Sequence, residues 1–287
     1  MEVQLEVRLL QHTPEPLRQL YVEFRTCYSR KTPLEIWDEV GSGRITREQM
    51  LTFIRERLAT GHTSPYTQVY WTWGVAFLSR AASHQQVRHH IGIDYEQQSQ
   101  RYCVFKAGEF PFVVPPSWKR ASAGLLEKYL ALMRQIGELY AEAVEAGIPA
   151  EDARFVLPNA AATNLTMTAN YLEMLHICDL RLCWRAQWEI RRLWAAIRGQ
   201  MMRHCEDCRL LAAYMQPKCG EHRMGYCDES REDWAACPIG KVRPHRSQVS
   251  AWLGREDGAN SRNSHPAAPI SEELFGKLAA CDTGEER

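Results

Sequence analysis

The 287-residue sequence predicts one large domain that mixes strands with helices, and three stretches carry that reading. Val3, Leu5 and Val7 alternate with polar neighbours, the two-residue period of a half-buried strand. Residues 68–75 (QVYWTWGV) concentrate β-branched and aromatic side chains, which suit a pleated surface. Between residues 117 and 146, Leu126, Tyr129, Met133, Ile136, Tyr140 and Ala143 recur at steps of three and four, the stripe of a long amphipathic helix. A hydrophobic content of 45% in a chain of this length supports a single sizeable core rather than two small ones.

The remaining elements follow in order. After the first strand a helix is expected over residues 16–27. A second begins near Thr32 with Pro33 at its first position, and a third near Thr46, where Thr-Arg-Glu-Gln forms a capping box. The strand at 68–75 leads into a helix over 76–90, and residues 101–105 suggest another strand. Beyond the long helix, a short one from Pro149 stops before Pro158. The β-prone run AATNLTMT follows, and a helix opens around Asn170. Residues 185–202 form a further helix with Ile190, Leu193, Trp194, Ile197 and Met201 on one face. Regularity fades from Cys205. Residues 205–242 read as a Cys-rich extension, and residues 243–287, rich in Ser, Asn, Gly, Pro and charge, as a flexible tail with a short helix near Glu272.

Composition excludes several classes. Lys plus Arg and Asp plus Glu both number 35, so there is no excess positive charge to displace counterions from a nucleic acid. No run approaches the roughly 18 apolar residues of a membrane span. The amino end lacks the basic and apolar regions of a secretory signal, so ten cysteines suggest reduced thiols or a metal site rather than a disulfide framework, with the cytoplasm as the expected compartment.

Residues 83–102 (SHQQVRHHIGIDYEQQSQRY) crowd arginine, histidine, glutamine and serine together. Arg88 and Arg101 offer planar forks suited to phosphate, while Gln85, Gln97 and Gln98 can each donate and accept, as the imide edge of a uracil requires. A solvated helix end and polar loop is the alternative that composition leaves open.

The same stretch carries a family resemblance. Arg88-His89-His90 followed by Ser99-Gln100-Arg101-Tyr102 resembles the signature of flavin-dependent thymidylate synthases, although His90 stands where arginine is usual and the loop is one residue longer. Four further blocks agree in order: Cys27-Tyr28-Ser29, Gly61-His62-Thr63-Ser64-Pro65, the run from Arg154 to Pro158, and residues 170–191, which include Leu180-Arg181 and Ala186-Gln187-Trp188-Glu189. Leu172 replaces an expected arginine and Gln68 an expected histidine.

The resemblance implies an α+β fold with a twisted, mainly antiparallel sheet flanked by helices, spanning residues 1–204. It implies a thymidylate synthase that converts dUMP to dTMP, with methylenetetrahydrofolate as carbon donor and NADPH reducing through FAD. It also implies a homotetramer whose sites are shared between subunits. Carried over residue by residue, Gln85, Arg88, Gln97, Gln98, Ser99, Arg101, Arg154 and Arg181 would bind dUMP, with Arg181 catalytic. Ser29, Arg88, His89, His90, Gln97, Asn170 and His176 would bind FAD. The departures also admit an altered-chemistry relative such as a pyrimidine hydroxymethylase, and the cysteines a non-catalytic, nucleotide-binding or zinc-stabilised protein.

Blander roles stand beside these. Ser99 suits a loop or cap, Arg181 and Arg185 could pair with Asp179 and Glu189, His176 could be a core histidine, and Trp184 and Trp188 could simply pack. No metal is assigned; Cys205, Cys208, Cys219 and Cys227 are weak candidate ligands, with only the first pair at zinc spacing.

Overall fold

The alternating stretches pair into a four-stranded sheet. In the computed structural model, which describes residues 1–58, 60–253 and 270–280, a short strand β1 (Glu2–Val3) precedes β2 (Glu6–His12). Three helices follow, α1 (Pro16–Tyr28), α2 (Pro33–Gly41) and α3 (Arg47–Leu58). Both expected caps form. Thr32 and Glu35 close a reciprocal box on α2, and Thr46 and Gln49 exchange backbone-to-side-chain bonds of 2.8 and 3.3 Å at α3.

Strand β3 (Tyr70–Ser79) runs into α4 (Arg80–Gln86), and β4 (Ile93–Gln97) comes next. Strand β5 (Phe112–Val113) pairs parallel with β1. Helices α5 (Pro116–Lys119), α6 (Ala123–Glu145) and α7 (Ala150–Ala153) lead to β6 (Ala162–Asn170), α8 (Tyr171–Arg181) and α9 (Trp188–His204). The main sheet has the order β2-β3-β6-β4, with each neighbouring pair antiparallel.

One face of this sheet makes the core. Trp71, Trp73 and Val75 of β3 join Leu165, Met167 and Ala169 of β6 in a buried cluster with Leu20 and Phe24 of α1, Ile177 of α8 and Trp194 and Ile197 of α9. Each buried tryptophan removes about 150–250 Å² from water, worth about 4–6 kcal/mol before conformational entropy is subtracted. Trp194 also donates its indole N–H to Gln86 at 2.8 Å, and Gln86 bonds the Tyr95 hydroxyl at 2.9 Å, so a satisfied polar chain fixes α4 and β4 to the core. A second cluster of Phe110, Phe112, Val114, Met133 and Ala161 lies under α6.

Two expectations change. Residues 101–105 do not form a strand: the Ser99 hydroxyl accepts the Arg101 N–H and the Ser99 carbonyl accepts the Tyr102 and Cys103 N–H groups, a local turn that outcompetes sheet pairing. The helix expected over 76–90 is shorter, because β3 extends to Ser79, whose hydroxyl caps α4 by accepting the Ala82 N–H at 3.1 Å. Helices also continue beyond 205, as α10 (Glu206–Ala213), α11 (Arg231–Ala236), α12 (Arg246–Leu253) and α13 (Glu272–Ala280). The last matches the short helix expected near Glu272, and its Glu272 accepts two bonds from buried Arg198 at 2.8 and 2.9 Å. The rest of the expected tail, 254–269 and 281–287, lies outside the described residues. No helix among the described residues is long and apolar enough to cross a membrane.

Candidate active site

Most of the sequence-predicted residues gather at the two ends of β4. At its start, α4 ends and Arg88, His89 and His90 turn toward the amino end of α8. Gly92 makes this approach possible, with φ of +77° and a virtual Cβ only 2.4 Å from the Asn170 amide nitrogen, so any larger residue would collide. Asn170 caps α8 by accepting the Glu173 N–H at 2.9 Å. The buried Glu173 carboxylate in turn faces His89 Nδ1 at 3.6 Å.

Arg181, at the far end of α8, donates its Nε–H to His89 Nε2 at 2.9 Å. Burial, with the Arg181 guanidinium and the His176 and His90 rings nearby, draws the His89 ring down to about 4, so it is neutral at pH 7. The Glu173 contact is therefore a carboxylate facing a ring N–H dipole rather than an ion pair. Burial pushes the Glu173 carboxyl up, opposed by His176 and His90. Arg88 and His90 are exposed, and among the described residues the Arg88 guanidinium meets no carboxylate.

At the other end of β4 the backbone itself is distorted. The β3–β6 register shifts between Val75 and Leu78, and Phe77 adopts φ of +62°, a conformation costly for a bulky residue. Asn164 stabilises it by accepting the Phe77 N–H at 3.0 Å, while its amide donates to the Gln98 side chain at 2.9 Å. Gln97 donates to Ser83 and Thr163, both at 3.2 Å. Just beyond, Arg101 bonds the Glu151 carboxylate at 3.0 Å and Arg154 the Glu151 carbonyl at 3.1 Å. Arg80 is close enough to Arg154 to feel its charge. Arg101 alone meets the Glu151 carboxylate, while Arg154 and Arg80 add positive charge nearby, and the exposed Arg101–Glu151 pair costs little to break.

Five-residue β4 spans about 14 Å at 3.4 Å per residue. Within one chain, therefore, Ser99, Arg101 and Arg154 are brought together, as are Arg88, His89, His90, Asn170, His176 and Arg181, but the two sets stay apart. Gln85 lies half-buried on α4.

Ser29 belongs to a third grouping. It follows α1, and the adjacent Tyr28 hydroxyl bonds His62 at 2.8 Å, joining two of the blocks that the sequence singled out. A neighbouring cavity of about 480 Å³ is lined by Gly61, Thr63, Leu172, His176 and, from the Cys-rich extension, Arg223. Arg223 pairs with both oxygens of Asp179. A cation thus reaches the cavity that Leu172 leaves uncharged.

The blander roles sort out residue by residue. Asp179 is taken by Arg223 rather than by Arg181 or Arg185. Glu189 accepts the Ser79 N–H and hydroxyl at 2.7 and 2.5 Å, and Arg185 pairs with Asp233 at 3.0 Å. Trp184 is buried with the Arg191 guanidinium 4.8 Å over its ring, a packing role. The four candidate cysteines divide: Cys205 accepts the Cys208 N–H at 3.2 Å as the cap of α10, whereas Cys219 and Cys227 neighbour Cys183 and Cys237. Burial pushes the Cys219 thiol up to about 12.

Glu173, Asn164, Glu151 and Arg223 were not singled out from the sequence. Only Glu173 carried a local signal, as the third residue after the capping Asn170.

Residues 8–205 match the family described as thymidylate synthase complementing protein. The chain is 40% identical over 231 residues to the flavin-dependent thymidylate synthase of Nitratidesulfovibrio vulgaris, covering 78% of this chain and 91% of that protein. It is 41% identical over 189 residues to the enzyme of that name from Geobacter sulfurreducens, covering 66% and 78%. For that of Thermococcus onnurineus the figures are 33% over 251 residues, 82% and 98%. Among solved structures, a UMP/dUMP methylase, PolB from Streptomyces cacaoi, superposes with a TM-score of 0.59 at 17% identity, covering 72% of this chain and 94% of that one, a likeness of fold. A family match over most of the sequence, with relatives above 30% identity covered nearly end to end, means that the chain belongs to the thymidylate synthase complementing protein family, the flavin-dependent thymidylate synthases.

Proposed function

We propose that this protein methylates dUMP to dTMP, taking carbon from methylenetetrahydrofolate and reducing equivalents from NADPH through FAD. The observation that carries the reading is the Arg181 guanidinium held at the end of α8 by a neutral His89, beside exposed Arg88 and His90. This donor set suits FAD: Arg88 and His90 are free to meet a diphosphate, and the glycine backbone at 92 admits close approach to the Asn170 amide. When bound, FAD supplies the redox chemistry that completes the methyl group.

The chain's own residues do the rest. Arg101 and Arg154 bind phosphate, with Gln98 and Ser99 fixing the nucleotide. An arginine cannot act as a base at neutral pH, but the fixed charge of Arg181 beside the pyrimidine favours ionisation at N3 and raises electron density at the carbon to be alkylated. Because the two residue sets lie at opposite ends of β4, the complete site draws on more than one chain, and the proposed assembly is a cytoplasmic homotetramer.

The purified protein is expected to be yellow and to form dTMP from dUMP, methylenetetrahydrofolate and NADPH, with R181A about 10²–10³-fold lower in kcat. Colourless protein that stays inactive with added FAD would end this reading. Product mass distinguishes methylation from hydroxymethylation, which would leave one additional oxygen.

A further inference from the structure

We infer that Glu173 is a positioning residue for Arg181, acting through His89 by holding that ring in the tautomer that can accept the guanidinium N–H. The argument begins with the donors. Arginine has no acceptor, so in the 2.9 Å contact between Arg181 Nε and His89 Nε2 the imidazole nitrogen must be the unprotonated one. A neutral imidazole then carries its proton on Nδ1. That nitrogen faces Glu173 Oε1 at 3.6 Å, and both residues are about 7% exposed. A carboxylate in that position favours the Nδ1–H form, and little water is present to compete.

The ligand atoms of His89, Glu173 and His176 also lie within 4.8 Å of one another, the spacing of a small metal site. The fixed charge of Arg181 against the same imidazole argues instead for a relay, with a hydrogen bond on the Arg181 side and a charge–dipole contact on the Glu173 side. A metal on Nδ1 would put the ring proton on Nε2 and abolish the Arg181 bond. Local structure agrees: Asn170 caps the helix through the Glu173 N–H, which leaves the Glu173 carboxylate available to His89.

This inference rests on the proposed reaction for its kinetic consequences but not for its structural ones, and the test separates them. In ¹⁵N-histidine spectra at pH 7, the His89 ring, assigned by its loss in H89Q, is expected as the Nδ1–H tautomer, retained in E173Q and shifted toward Nε2–H in E173L. In turnover assays E173L is expected to raise KM for dUMP at least tenfold and to lower kcat, while E173Q stays within threefold. In H89Q, where an amide oxygen accepts from Arg181 with no tautomer to choose, adding E173L should have little further effect.

Wild-type protein in the Nε2–H form, zinc bound stoichiometrically as purified, or E173L effects that persist in full on the H89Q background would each overturn the relay. The wild-type spectrum decides even if E173L fails to fold. Absence of dTMP formation by wild-type protein with the Nδ1–H tautomer intact would defeat the proposed reaction alone.

Discussion

His89 sits where burial, the Arg181 charge and two neighbouring imidazoles all oppose its protonation. In the unfolded chain the same ring titrates near 6.5, and in the folded protein near 4, so between those values the unfolded state binds more protons. The stability that a neutral His89 contributes is therefore full above pH 6.5 and is lost as pH falls toward 4, at about 1.4 kcal/mol per pH unit at most. Urea unfolding at pH 7, 5.5 and 4.5 should reveal this slope. In H89Q, whose amide does not titrate, the decline over that window should be shallower; an unchanged slope would mean that other groups govern acid sensitivity. The pairing behind this behaviour was only half legible in the sequence. His89 is inside a recognisable motif, but its partners, Glu173 and Arg181, approach from another helix 84 and 92 positions away.

Among elements, the junction of β3, α4 and α9 depends on one buried carboxylate. Glu189, in the first turn of α9, accepts both the backbone N–H and the hydroxyl of Ser79, and that hydroxyl also caps α4. Burial pushes the Glu189 carboxyl up while the Ser79 bonds pull it down. E189A would leave two buried donors unsatisfied and is expected to cost roughly 2–4 kcal/mol, with E189Q less affected because its amide oxygen still accepts. Equal urea midpoints for wild type and E189A would refute this. Sequence spacing offered Arg181 and Arg185 as partners for Asp179 and Glu189, with Arg185 four positions from Glu189; the actual partner of Glu189 is 110 residues away, which no local pattern can reveal. What was legible has the same explanation in reverse. The α6 stripe, the helix start at Thr32-Pro33 and the box at Thr46 are short-range devices, written within one or two turns. Strand β4 was missed because Ile93 and Tyr95 are its only apolar positions, and it is defined by pairing with β6. The Ser99 turn replaced an expected strand because a hydroxyl two residues upstream outweighs β propensity where the segment pairs with no strand.

At the scale of the whole molecule, the open face of the sheet and the division of the site point to the same assembly. Across the four strands, Arg8, Gly74, Thr166 and Glu96 lie in register in one row that lines a cleft of about 760 Å³, with opposite charges at the two edges. A second copy related by a two-fold axis could set Arg8 against Glu96 and cover the small residues between them. T166R places a bulky charge at the centre of this row with little cost to the isolated chain, so light scattering should report a smaller particle, and activity should fall with it. Complementation gives the sharper test. R154A and R181A are each expected to be nearly inactive; if Arg154 of one chain works with Arg181 of another, dissociating and reassembling an equal mixture should restore activity in about a quarter of the sites by random assortment. If both arginines served one site within one chain, every site would lack one of them and the mixture would stay inactive. The 14 Å length of β4 between the two residue sets predicts recovery.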